Sequence, residues 1–121
     1  MHELSIAESI VEAVLQEKRR RGFQHVRKVG LRVGALSGVM VEALEFSFQA
    51  IVNETELDGA ELCVEYLPVK IRCKTCGNRQ TLDDNLFLCP QCGSADVDIL
   101  QGEELDIAYL EVEDSPEKQG S

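Results

Sequence analysis

From Leu4 to about Arg21 apolar residues return every three or four positions (Leu4, Ala7, Ile10 or Val11, Val14), with Glu8, Glu12 and Glu17 between them. That is the period of an amphipathic helix. Ser5 followed three residues later by Glu8 suits a capping box, and Gly22 is placed to end the helix. Val29, Leu31 and Val33 then alternate with Lys28, Gly30, Arg32 and Gly34, the period of a strand. Leu36-Ser37-Gly38 reads as a turn, with Ser37 a candidate cap for the next element. Residues 41–52 carry Leu44, Phe48 and Ile51 or Val52 on one stripe, with Phe46 beside it, and predict a second helix. After a turn at Leu57-Asp58-Gly59, Leu62, Val64 and Tyr66 alternate with Glu61, Cys63 and Glu65. Near the end Leu105, Ile107 and Tyr109 alternate with Asp106 and Ala108. The pattern predicts an α+β fold, an α/β sandwich of two helices on a three-stranded sheet.

Residues 69–100 break this rhythm. They hold four of the five cysteines and short turn clusters, and too few apolar residues to fold by burial alone. The expected layout is therefore discontinuous: residues 1–68 and 101–113 form the α/β domain, 69–100 form an inserted zinc-ribbon domain, and 114–121 form a solvated, flexible acidic tail.

Charge narrows the function. Twelve Lys and Arg against 22 Asp and Glu leave a formal charge of −10, which repels phosphate backbones and argues against nucleic-acid binding. No apolar run approaches the roughly 20 residues that span a bilayer, and the amino end has no basic n-region, so neither a membrane partner nor a secretory signal is expected. The expectation is a cytoplasmic protein with reduced thiols. Seven of the twelve bases lie within the first 32 residues. Lys18-Arg19-Arg20-Arg21 reads as a solvated last helical turn, where cations suit the helix dipole, or as a docking patch for an acidic partner.

Cys73-Lys74-Thr75-Cys76-Gly77 and Cys89-Pro90-Gln91-Cys92-Gly93 are two CxxCG hooks separated by twelve residues, a gap that suffices for a short hairpin. Four thiolates at about 2.3 Å make a closed tetrahedral Zn(II) site with no open position for a substrate, so the expected role is structural. A rubredoxin-type iron site would want an aromatic shell, and only Phe87 lies between the hooks. A thioredoxin-type pair would want one hook, not two in tandem. Cys63 lies on a strand and reads as a quiet structural thiol. With no nucleophile–base arrangement around Ser37 or the scattered carboxylates, an enzyme has little support.

The first residues permit a second, different metal site. A free α-amine, the amide nitrogen of residue 2 and the imidazole of His2 can form adjacent planar chelate rings. These supply three nitrogen donors of the kind that suit Ni(II) or Cu(II). The backbone or carboxylate of Glu3, or a partner's group, is a candidate fourth donor. The amine titrates near 7.7–8.0 and the imidazole near 6.5, so protons compete with the metal around neutrality and the site is reversible.

Taken together, Met1-His2-Glu3-Leu4-Ser5, Val33-Gly34-Ala35-Leu36-Ser37-Gly38-Val39, the Glu42-Ala43-Leu44 helix with Phe46 and Phe48, and the spaced CxxC pair resemble the HypA/HybF hydrogenase nickel-incorporation proteins. The motifs occur in the family's order from residue 1 to about 113. The resemblance implies a metallochaperone that delivers nickel to the large-subunit precursor of [NiFe]-hydrogenase, working with a HypB-type GTPase. In some organisms the family also serves urease maturation, which adds urease maturation proteins as further partners. The resemblance implies Ni(II) at Met1, His2 and Glu3, and zinc at Cys73, Cys76, Cys89 and Cys92. Some members carry histidines near the zinc hooks; here the only other histidine is His25, read as a helix–strand linker residue. A zinc-ribbon adaptor without a nickel-carrying role is the competing reading.

Overall fold

The computed structural model describes residues 3–82 and 87–113. Met1 and His2 of the expected nickel site, and the expected tail at 114–121, lie outside the described residues. The elements run α1 (Glu3–Arg21), β1 (His25–Gly34), α2 (Val41–Val52), β2 (Glu61–Leu67), β3 (Val69–Cys73), β4 (Arg79–Leu82), β5 (Val97–Gln101) and β6 (Leu105–Glu113). Among the described residues they build two three-stranded sheets, β2-β1-β6 and β4-β3-β5. The chain divides into two compact units: Met1–Leu31 with Val39–Glu65 and Asp106–Ser121, and Arg32–Gly38 with Tyr66–Leu105.

In the first unit the stripes that set the helical period are the ones that are buried. Ala7, Ile10, Val11 and Val14 of α1 and Leu44, Phe48 and Val52 of α2 are at most 7% exposed, as are Val29 and Leu31 of β1. The β2-β1-β6 sheet is mixed. β6 runs antiparallel beside β1, with the Gln24 N–H donating to the Glu113 carbonyl at 3.0 Å. The opposite face of β1 presents Gly30, where a Cβ would collide with the Tyr109 ring; only glycine lets that ring lie against the sheet. Tyr109 itself is 51% exposed and Ile107 is 37% exposed. Their alternation marks a strand correctly, but they sit on the Gly30 face of the sheet, opposite the face that buries Val29 and Leu31.

Two expected caps are not formed. α1 begins at Glu3, so Ser5 lies inside its first turn and the Ser5–Glu8 box has no frayed end to close. α2 begins at Val41, its N-cap is Met40, and no side chain of its own caps it; Ser37 lies three residues too early. Gly22 does end α1, with a φ of 73° and its N–H on the Lys18 carbonyl at 2.8 Å. Every cation of the basic turn before it has an acidic partner, four cations sharing two carboxylates. Lys18 and Arg19 bond Glu56 at 3.5 and 2.8 Å, and Arg20 and Arg21 bond Glu17 at 2.9 and 3.1 Å.

The second unit has a thin core. Val69, Ile71 and Leu82 are buried, with Ala35, Leu36, Phe87 and Val97 packed against them. β3 is its central strand and alternates cleanly: Val69, Ile71 and Cys73 point inward, Lys70 and Arg72 outward. It pairs antiparallel with β4, Lys70 opposite Thr81 and Arg72 opposite Arg79. With β5 it pairs Arg72 opposite Asp98 and Cys73 opposite Val97. The first hook is itself the turn joining β3 to β4; residues 83–86 of the expected hairpin between the hooks lie outside the described residues.

Candidate metal centre

Both hooks are built to one plan. Cys73 closes β3, its N–H donates to the Asn78 carbonyl at 2.8 Å, and the Gly77 N–H returns to the Cys73 carbonyl at 2.9 Å. In the second hook the Cys89 N–H donates to the Ser94 carbonyl and the Gly93 N–H to the Cys89 carbonyl, each at 2.8 Å. Gly77 and Gly93 both have a φ of 77°, the left-handed region where a Cβ is penalised. That is the physical reason each hook reads CxxCG. Across the hooks the Thr75 and Ser94 hydroxyls meet at 3.0 Å, and the Lys74 N–H donates to the Asp96 carbonyl at 2.9 Å.

The four sulfurs converge. Cys73 Sγ lies 3.6 Å from Cys92 Sγ, and Cys76 Sγ lies 3.6 Å from Cys89 Sγ; all four fall within 4.8 Å of one another. Sulfurs bound tetrahedrally at about 2.3 Å stand about 3.8 Å apart, so the spacing fits one zinc-sized ion. A disulfide would need about 2.05 Å. Cys73 and Cys89 are buried while Cys76 and Cys92 are exposed, which places the cluster at the surface with one buried sulfur from each hook.

Electrostatics within the cluster are uneven. The Cys76 N–H donates to Cys73 Sγ at 3.4 Å. That amide, helped by the Thr75 amide and the neighbouring thiols, outweighs burial and brings the Cys73 thiol down to about 6. The Cys92 amide does the same for Cys89, which is also lowered. At Cys76 the Asn78 amide pulls down, but burial and the Cys89 and Cys73 sulfurs prevail and the thiol is raised. At Cys92 the Ser94 amide pulls down, yet Cys73, burial, Cys89 and Cys76 together push it up to about 12. Four thiolates this close repel too strongly to coexist unaided. Either protons or a dication must hold the charge, and the sulfur set suits Zn(II).

The other expected site residues are placed separately. Glu3 opens α1, and its carboxylate Oε2 accepts the Met40 N–H at 3.1 Å. The cap that α2 lacks locally comes from 37 residues away, a partnership with no signature in sequence. His25 is the exposed first residue of β1 and lines an open cleft of about 560 Å³ with Arg27, Lys28, Asp58 and Glu61. Cys63 is half-buried and lines a cavity of about 120 Å³ with Leu31, Ala108 and Tyr109. Among the described residues, the four cysteines are the one group of ligand-bearing side chains gathered closely enough to hold a metal. No helix among them is long and apolar enough to cross a membrane.

Comparison with known proteins gives the same answer over the full length. Residues 1–112 match the family model described as hydrogenase/urease nickel incorporation, metallochaperone, hypA. The hydrogenase maturation factor HypA of Roseiflexus sp. (strain RS-1) is 44% identical over 123 residues, covering 100% of both chains. That of Moorella thermoacetica is 38% identical over 113 residues, 93% of this chain and 100% of its own. The solution structure of the Ni metallochaperone HypA from Helicobacter pylori superposes with a TM-score of 0.67 at 22% identity, covering 95% of this chain and 100% of that one. A second solution structure, of HypA protein, gives a TM-score of 0.69 at 23% identity over 93% and 96% of the two chains.

Proposed function

We infer the function from one premise: the chain belongs to the HypA family of hydrogenase and urease nickel-incorporation metallochaperones. Its work is carriage, not catalysis. Ni(II) is the cargo, taken up at the amino terminus and handed on for assembly of the [NiFe]-hydrogenase active site. The family match begins at residue 1, so it takes in Met1, His2 and Glu3, and this is the observation that carries the reading.

The α-amine of Met1, the amide nitrogen of residue 2 and the His2 imidazole supply nitrogen donors whose protons compete with nickel near neutrality. A site of that kind loads and unloads. Cys73, Cys76, Cys89 and Cys92 would hold zinc, whose contribution there is to join the two hooks and supply folding free energy. The two metals are kept apart by chemistry: exchangeable nitrogen donors for the cargo, four thiolates with no vacant position for the resident ion. The receivers on this reading are the hydrogenase large-subunit precursor and a HypB-type GTPase, with urease maturation proteins as further clients.

The test is His2→Ala in zinc-loaded protein with a native, untagged amino terminus. Calorimetry is expected to show nickel binding weakened at least a hundredfold, with zinc content and the circular dichroism spectrum unchanged. Equal nickel affinity in the variant would reject the amino-terminal site.

A further inference from the structure

The outer face of the β4-β3-β5 sheet carries more positive than negative charge, in a chain whose formal charge is −10. Lys70, Arg72 and Arg79 all lie on this face. Arg79 stands directly opposite Arg72, and Lys70 opposite Thr81. Like charges directly opposite on neighbouring strands destabilise a sheet. On the other side of β3, Asp98 answers Arg72 at 4.0 Å and is shared with Lys74 at 3.5 Å; Lys74 also bonds Asp96 at 3.7 Å. Among the described residues no carboxylate answers Lys70 or Arg79. The contrast with α1 is direct, since every member of Lys18-Arg19-Arg20-Arg21 has an acidic partner.

Beside these two cations lies a groove of about 360 Å³ lined by Lys70, Ile71, Arg79, Gln80, Thr81 and Leu100. Leu100 is 48% exposed. Lys70 and Arg79 are diagonal neighbours on one face of an antiparallel pair, which puts them about 7–8 Å apart. Alternate side chains of an extended peptide repeat at about 6.6–6.8 Å. Among the described residues β4 is an edge strand of the sheet, which leaves Arg79 approachable from its open side.

We propose that this face docks an extended acidic segment of a partner protein, two carboxylates at alternate positions seated on Lys70 and Arg79 and an apolar side chain against Leu100. The surface gives the cysteine-bearing unit a recognition role of its own. It is independent of where nickel binds, and nickel-free, zinc-loaded protein is the material to use.

The experiment titrates the full-length, zinc-loaded, ¹⁵N-labelled chain with a synthetic peptide of alternating Glu and Val. The same peptide with Gln for Glu, and a short oligothymidine, serve as comparisons. Saturable shifts are expected at Lys70, Arg79, Thr81 and Leu100, with binding weakened at least tenfold by 0.5 M salt and by the Gln peptide. The double variant Lys70→Glu/Arg79→Glu is expected to lose binding at least tenfold with zinc content unchanged. Should that variant fail to fold, Lys70→Gln/Arg79→Gln answers the same question, while Arg20→Gln on α1 is expected to bind as the parent does. Equal binding of the Gln peptide, undiminished binding by the neutralised variant, absence of saturation at millimolar peptide, or preferential binding of oligothymidine would each overturn the proposal.

Discussion

In each hook two cysteines three positions apart differ in their hold on a proton: the first sulfur receives two backbone amides, while the second receives one, which burial and the neighbouring sulfurs outweigh. Cys73 and Cys89 are buried and each takes the amide of the second cysteine of its own hook, so both are lowered; Cys76 and Cys92 are raised. With Cys73 at about 6 and Cys92 at about 12, at neutral pH the first is ionised while Cys92, with Cys76, keeps its proton. Zinc requires four thiolates, so loading at pH 7 should release at least two protons. Affinity should fall as pH falls, about a hundredfold per pH unit for two protons and more steeply below about 6, where Cys73 is protonated too. Calorimetry at pH 7 in two buffers of different ionisation enthalpy reads the proton count; a count clearly below two would contradict the assignment. In the metal-free chain the sign is the same. A thiol lowered on folding stabilises the fold above its unfolded pKa and loses that contribution as pH falls through about 6. The cysteine identities and CxxCG spacing are plain in the sequence, but the asymmetry within each hook is not, because amide direction is a property of the turn.

At the scale of elements, the start of α2 depends on a residue of α1. Met40 cannot cap a helix with its own side chain, and the Glu3 carboxylate takes its N–H at 3.1 Å, with a negative charge at the positive end of the helix dipole. Glu3→Ala should therefore destabilise the fold by about 1 kcal/mol, the usual worth of a helix cap. Glu3→Gln, which keeps the acceptor and loses the charge, should cost less. Chemical denaturation of both variants checks the order, and an Ala variant as stable as the parent would show the contact to be idle. A cap borrowed across 37 residues leaves no local trace, which is why Ser37 is the better candidate on sequence alone. Elements with strong periodicity are legible: α1, α2, β1, β2 and β6 lie where the apolar stripes put them. The strands β3, β4 and β5 are not, since they are only 5, 4 and 5 residues long and β3 uses Cys73 as its third inward residue. Nor can periodicity say which face of an edge strand is covered. Ile107 and Tyr109 alternate as a core stripe would, yet stand exposed on β6 while Gly30 makes room for the tyrosine ring.

For the whole molecule, the two units rest on unequal foundations. The first buries two helical stripes and the inner face of β1, an aliphatic core of ordinary kind. The second has Val69, Ile71 and Leu82 at its centre with Ala35, Leu36, Phe87 and Val97 packed against them, and Val33, Cys73 and Cys89 are its other buried hydrophobic positions among the described residues. Its chain is also not one insert. Arg32–Gly38 groups with Tyr66–Leu105, and the Ala35 N–H reaches the Leu67 carbonyl at 2.9 Å while the Leu36 N–H reaches the Gly102 carbonyl at 2.7 Å. Structural zinc contributes about 10–16 kcal/mol of binding free energy in small cysteine-held folds, more than so small a core supplies. Stripping the zinc with a strong chelator under reducing conditions should therefore unlock the second unit selectively. Hydrogen exchange should show protection lost at the amides of Ile71, Cys73 and Val97 while Leu31, Leu44 and Phe48 stay protected. Returning one equivalent of zinc should restore the pattern. Full retention of protection at Ile71 in zinc-free protein would mean that burial holds this unit; simultaneous loss at Phe48 would mean that the two units melt as one. Selective loss is expected because the metal bonds bridge only residues 73–92, and every hydrophobic contact that defines the first unit's core lies outside that span.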